Sequence, residues 1–222
     1  VGALLMSKIA HIVAIAADSL ADLGFGISDK LTTVDNVLDK GEAWIGPRQR
    51  LEQHFGFVQP IPYIVIKNGD KFLAYKRGGT GGEDRLHSKV SIGFGGHVDL
   101  ADAVVDDQGV VDLRKTMNKA CVRELEEELG ISLKGVMPEQ LRPLFQWTHV
   151  IQSDASPVDR VHIGLVAQID VTLLPGIDPS NFEDVIENAY WSTLDGFFTD
   201  GVAGLLELET WSALVLKALD DA

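Results

Sequence analysis

The run Arg123-Glu124-Leu125-Glu126-Glu127-Glu128-Leu129-Gly130-Ile131 constrains this chain more than any other stretch. It brings four carboxylates, one guanidinium and a glycine into nine residues. On a helix, Glu124, Glu127 and Glu128 are spaced i, i+3 and i+4 and project from one face. Like charges at that spacing repel, and they cost helix stability unless a cation stands among them. Leu125, Leu129 and Cys121 fall on the opposite face, where they can pack on a sheet. Gly130 suits the left-handed residue that ends many helices, and Asp112 suits the cap that begins one. Upstream, Val90 to Phe94 reads as an apolar strand running into Gly95-Gly96.

The rest of the chain interleaves strands and helices without regular β-α-β alternation. Ile61 to Tyr75 reads as a hairpin: Ile64-Val65-Ile66 and Phe72-Leu73-Ala74-Tyr75 flank Asn68-Gly69, a dipeptide suited to a tight turn. Lys8 to Ala16, Leu144 to Ile151 and Val161 to Val171 read as further strands, with Ser153 to Pro157 as a turn. Asp18 to Asp39 reads as a short helix with loops, and Pro47-Arg48-Gln49-Arg50 as a basic surface turn that could meet a phosphate. Lys76 to Arg85 is a glycine-rich loop. Asn181 to Asn188 reads as a short helix or loop before a strand at Ala189 to Ser192, and Leu205 to Leu219 as one amphipathic helix. These elements predict a mixed sheet with helices on both faces. Residues 1–55 form an N-terminal extension, strand plus short helix, packed on a main domain of residues 56–222.

Charge and cysteine content exclude some partners. The net charge is −14 and no basic tract appears, which argues against a nucleic-acid polymer as ligand. An anionic small molecule must then be met by local cations or by metal. No apolar run is long enough to span a bilayer, and Ile9 to Ala17, interrupted by His11, reads as a buried strand. Cys121 is the single cysteine, so no intramolecular disulfide can form and the cytoplasm is the simplest setting.

The acidic run, with the glycine pair upstream, resembles the signature of the Nudix (MutT-like) hydrolases, G-x5-E-x7-R-E-U-x-E-E-x-G-U, where U is bulky and aliphatic. The second half matches at each specified position from Arg123 through Ile131. The first half diverges. Counting from Gly96, the glutamate position holds Asp102, and the arginine stands at 123 where the pattern puts it at 110, an insertion of roughly thirteen residues. Counting back from Arg123, the glutamate position falls on Lys115.

The resemblance implies an α/β/α sandwich with a mixed sheet. It also implies Mg²⁺- or Mn²⁺-dependent cleavage of a diphosphate bond in a nucleoside-diphosphate-linked or related small molecule. In this pattern Glu127 and Glu128 hold metal, Glu124 is a further ligand or the general base, and Arg123 orients the carboxylates. The carbonyl of Gly95 or Gly96 is an extra ligand, and Glu187, ahead of Trp191-Ser192-Thr193-Leu194, completes the set, with Glu183 and Asp184 as competitors. Such chemistry needs an activated water and neutralised phosphoryl oxygens, and hard cations on carboxylates supply both. Arg77, Arg85 and Lys89 are the candidate phosphate donors, with His97 beside them. Tyr63 is among the aromatics that could stack a base. Many relatives are dimers, and the N-terminal strand could serve as an interface. The missing upstream glutamate motivates an alternative, a Nudix-fold module that binds a nucleotide ligand without cleaving it.

Overall fold

Alternating side chains place each central strand in contact with two helical layers. The computed structural model describes residues 10–28, 31–78, 88–133, 144–154, 157–184 and 186–221. The chain runs β1 (His11–Ala16), β2 (Gly26–Ser28), α1 (Leu31–Lys40), β3 (Ala43–Pro47), α2 (Arg48–Leu51), β4 (Phe57–Asn68) and β5 (Lys71–Arg77). It continues with β6 (Val90–Ser91), β7 (Gly93–Phe94), α3 (Leu113–Leu129), β8 (Gln146–Gln152) and β9 (His162–Asp170). It closes with β10 (Ile186–Thr193), α4 (Leu194–Val202) and α5 (Thr210–Asp220).

The sheet is mixed, in the order β10-β5-β4-β9-β8-β2, with β4 and β9 parallel and the other neighbours on this path antiparallel. Ile64 and Ile66 of β4, Leu73 and Tyr75 of β5, and Ile163, Leu165 and Ile169 of β9 pack with Val34 and Val37 of α1 and with Met117, Cys121 and Leu125 of α3. Tyr63, Val65, Phe72 and Val166 point the other way, onto Phe197 of α4 and Val215 and Leu216 of α5. The period of two along each strand produces this division. The result is the expected α/β/α sandwich. Among the described residues no helix is long and apolar enough to cross a membrane.

Residues before 55 share the main core, since Val13, Ile15, Val34 and Val37 pack in the same cluster as Ile64 and Leu125. β1 pairs antiparallel with β3 on one edge. Its other edge meets β4 at Ile15 and Ala16, and the Val13 N–H donates to the Val98 carbonyl at 2.8 Å. Both edges of β1 are thus used within the chain.

Several boundaries move once tertiary pairing is known. Asn68 pairs with Lys71, so the hairpin loop is Gly69-Asp70, one residue later than the Asn-Gly dipeptide suggests; among non-glycine and glycine residues alike, only Gly69 of that pair has positive φ, 62°. The run Val90 to Phe94 divides at Ile92, with Val90-Ser91 on β5 and Gly93-Phe94 on β4. β10 begins at Ile186, inside the segment read as helix or loop, with an irregularity between Glu187 and Tyr190 where Asn188 takes φ 48°. The C-terminal helix begins at Thr210 rather than Leu205, and a separate helix, α4, precedes it. Val90 N–H donates to the Glu207 carbonyl at 2.7 Å, and Glu209 N–H to the Val90 carbonyl at 3.0 Å. That pairing holds the chain extended between α4 and α5. Pro47-Arg48-Gln49-Arg50 is not a turn: Pro47 ends β3 and Arg48 begins α2.

The signature helix is α3. Asp112 caps it, its Oδ1 accepting the Lys115 N–H at 3.0 Å. Gly130 ends it in the left-handed conformation at φ 64°, and the Ile131 N–H reaches back to the Leu125 carbonyl at 3.0 Å. Arg114 ties its first turn to α1 through Asp35 and Asp39, both at 2.7 Å. Replacing Asp112 by Ala removes the cap, and urea unfolding should show a loss of about 1 kcal/mol.

Candidate active site

β7 delivers the chain into Gly95-Gly96, which lies against α3. Gly95 has φ 145°, and a Cβ there would overlap the Pro62 carbonyl, so only glycine fits. A Cβ on Gly96 would stand 3.0 Å from Glu124 Oε1. The absence of side chains lets the loop backbone touch the helix carboxylates: the Gly95 N–H donates to Glu128 Oε2 at 2.9 Å.

Arg123 organises the rest. Its Nη1 meets Glu127 Oε2 at 2.7 Å and Glu124 Oε1 at 2.8 Å. Its Nη2 donates to the His97 carbonyl at 2.8 Å and to Asp102 Oδ2 at 2.9 Å, while Nε lies 3.1 Å from the same oxygen. Asp102 is only 2% exposed, and its Oδ2 also accepts the Asp99 N–H at 3.0 Å. The aspartate six residues after Gly96 is therefore the buried counter-charge of Arg123. Lys115, the other position that counting could assign, is exposed and paired with Asp112 at 2.8 Å. Burial disfavours the Arg123 charge, but Asp102, Glu124 and Glu127 outweigh it and hold the guanidinium above its usual pKa. The inserted residues fold into a short ribbon, Val105 bridging Val111, before α3 begins. Thr116 Oγ1 and Lys119 fasten that stretch through the Val104 N–H at 3.0 Å and the Ala101 carbonyl at 2.6 Å.

Glu124 is buried and Glu128 partly so, while Glu127 is exposed. Burial is the main force that raises Glu124 to about 7, against the lowering effect of Arg123. Burial and then the charge of Glu124 raise Glu128 to about 8. Glu124 and Glu128 are thus two converging carboxylates, neither ionising easily while the other is charged. Among the described residues no three His, Cys, Asp or Glu side chains are arranged to hold a cation by themselves. The pair still fits a hard divalent cation, which takes one or two carboxylates and keeps several waters. Their hydrogen-bonded or ion-paired oxygens are Glu124 Oε1 and Glu128 Oε2, and the Gly96 backbone lies beside Glu124.

The same glycine loop lines a cavity of about 420 Å³ together with His97, Arg48, Tyr63, Arg77, His162, Glu209 and Trp211. His97 Nε2 and His162 Nε2 lie 3.1 Å apart, and His162 Nδ1 is 2.7 Å from the Val158 carbonyl. A carbonyl only accepts, so His162 carries its proton on Nδ1 and His97 donates through Nε2 when both rings are neutral. Burial, then Arg48 and His162, lowers His97 to about 3.

Not every predicted residue reaches this place. Arg77 and His97 line the cavity; Lys89 does not, and pairs with Glu207 at 3.0 Å. Arg85 lies outside the described residues. Glu187 is exposed on β10 opposite Lys76. The carboxylate whose charge acts on Glu128 from that part of the chain is Glu183, whose N–H donates to the Glu128 carbonyl at 2.8 Å. His162, Glu209 and Trp211 went unnoticed in the sequence because each is a lone residue in an unremarkable context. Arg48 was visible as part of a basic spot.

No family model matches the chain. Protein YmaB of Bacillus subtilis (strain 168) is 34% identical over 164 residues, 74% of this chain and 72% of that protein. Among solved structures, Tm1382, a candidate Nudix hydrolase, superposes with a TM-score of 0.65 at 22% identity, covering 94% of this chain and 97% of its own. A Nudix hydrolase from Alicyclobacillus acidocaldarius gives 0.52 at 17% identity over 74% of this chain and 92% of its own.

The raised carboxyl groups fix a pH dependence. In the fold Glu124 and Glu128 keep their protons to about 7 and 8, whereas unfolded they release them near 4.5. The stabilisation is full below the unfolded value and is lost as pH rises through the folded ones. Thermal melts of metal-free protein should therefore show Tm falling between about pH 5 and pH 8. Glu128→Gln should flatten that fall; an unchanged slope would place its source elsewhere.

Proposed function

This chain belongs to the family of Protein YmaB and has the fold of the Nudix hydrolases, and on that premise we propose that it is a Mg²⁺- or Mn²⁺-dependent pyrophosphohydrolase of a nucleoside-diphosphate-linked or related small molecule. The observation that carries the reading is the Arg123 array: one guanidinium joins Glu124, Glu127, Asp102 and the His97 carbonyl beside a glycine loop that opens on a cavity. In this reading Glu124 and Glu128 hold the cation, with the Gly96 carbonyl beside them, and Glu127 is a further candidate ligand. When bound, the cation supplies Lewis-acid stabilisation of the phosphoryl oxygens and lowers the pKa of water.

The chain's own residues do the rest. Gly95-Gly96 bring backbone next to the diphosphate without a side chain in the way. Arg77 on the cavity wall pairs with the phosphates. Arg123 keeps Glu124 and Glu127 in register on α3. Ligand and general base are alternative roles for Glu124; as the base it takes a proton from the attacking water, the new bond joins that oxygen to phosphorus as the bridging P–O bond breaks, and two phosphorylated products leave. His97, neutral and with its one N–H spent on His162, shapes the loop. The sensor alternative rests on the missing upstream glutamate; the carboxylate that Asp102 brings to Arg123 supports the hydrolase instead.

The test is product release from a panel of nucleotide sugars, dinucleoside polyphosphates, nucleoside triphosphates and isoprenoid diphosphates, with and without Mg²⁺ or Mn²⁺. Metal-dependent release that disappears in Glu128→Gln and survives in Glu126→Gln is the expected result. Release from no compound, with saturable nucleotide binding, would establish the sensor instead. In the same assay Asp102→Asn should reduce turnover about 10- to 100-fold, because Arg123 loses the group that orients it.

A further inference from the structure

Glu209 stands far from the signature run, lines the cavity and has no task in the reading above. It is 6% exposed. Three hydroxyls from three elements close on its Oε1: Tyr63 Oη at 2.7 Å, Ser91 Oγ at 2.8 Å and Ser212 Oγ at 3.1 Å. Ser212 is itself held by the Ile92 N–H at 3.0 Å. One oxygen is thus saturated and the plane of the carboxylate is set. The other, Oε2, meets Arg77 at 3.9 Å, which is beyond hydrogen-bond length.

A carboxylate oxygen accepts hydrogen bonds, and covering Oε2 without supplying a donor would be costly. The rings of Tyr63 and Trp211, edge to face with centroids 5.8 Å apart, line the same cavity. An apolar aromatic wall thus shares the cavity with an acceptor oxygen, and Arg77 stands by that oxygen on the way to the glycine loop. An isoprenoid tail in this space would cover Oε2 and leave it without water or a donor. A nucleobase with an N–H edge would supply the missing donor.

We propose that Glu209 is a specificity-determining residue: its Oε2 accepts a hydrogen bond from an N–H of a nucleobase held at Trp211, while the phosphates pass Arg77 toward Gly95-Gly96. The ligand class rests on the pyrophosphohydrolase reading, but the recognition does not need turnover. A site built to accept from a donor discriminates against the analogue that lacks it, because the acceptor is then left buried and unpaired.

The experiment is isothermal titration of the metal-free chain with the common nucleoside 5′-monophosphates, with purine riboside 5′-monophosphate, whose base has no N–H, and with ribose 5-phosphate. At least one N–H-bearing base should bind about tenfold or more tighter than purine riboside monophosphate and ribose 5-phosphate. In Glu209→Gln the carbonyl oxygen stays on the three hydroxyls and an amide NH₂ replaces Oε2. That variant should lose the tenfold preference and keep its affinity for ribose 5-phosphate. Tyr63→Phe, which removes one hydroxyl from Oε1, should blunt the preference less. If the wild type does not favour the N–H-bearing bases, or if Glu209→Gln weakens every ligand equally, Glu209 is only a clamp between β4, β6 and α5 and the proposal falls. Should Glu209→Gln fail to fold, the wild-type series alone decides. Failure of the hydrolase reading would show separately, as absent turnover in the diphosphate panel with the base preference intact.

Discussion

The buried pair between Arg123 and Asp102 is the interaction on which the site depends. Asp102 has almost no contact with water, and an unpaired carboxylate there would be untenable. Arg123 satisfies it from the side, and in doing so its remaining N–H groups are aimed at Glu124, Glu127 and the His97 carbonyl. A single guanidinium therefore couples the loop after Gly96 to the acidic face of α3. Only a planar, multi-donor cation could serve that many acceptors at once.

The glycine loop carries this order outward. Gly95 binds Glu128 through its N–H, Gly96 lies against Glu124, and both line the cavity that Arg48, Arg77 and Trp211 help to form. Carboxylates and cavity thus share a wall of bare backbone. In the same cavity, Glu209 is held by Tyr63 and two serines. The two acidic sites differ in kind: one is a mutually repelling pair suited to a cation, the other a single carboxylate held by hydroxyl donors.

Local patterns in the chain carried the layer plan. The period-two strands around Ile64 and Phe72 and the i, i+3, i+4 glutamates of α3 needed no knowledge of distant neighbours, because each is set by chain geometry over a few residues. The cap at Asp112 and the stop at Gly130 were legible for the same reason. Boundaries set by pairing were not. Leu205 to Leu219 has a continuous helical pattern, yet Glu207 and Glu209 bond to Val90, and the helix starts only at Thr210. Likewise Val90 to Phe94 reads as one strand but serves two partners.

The same division holds for the site. The sequence by itself determined that Glu124, Glu127 and Glu128 share a helix face after a glycine pair, since spacing within one element decides it. It also determined that Asp102 was one of two positions for the missing acid. Only the tertiary structure showed that Asp102, and not Lys115, reaches Arg123 across a folded insertion. It alone brought Tyr63, Ser91, Glu209 and Ser212 together, residues whose separations of up to 149 positions carry no local signal. Such a cluster exists only once the sheet has set the distances between strands.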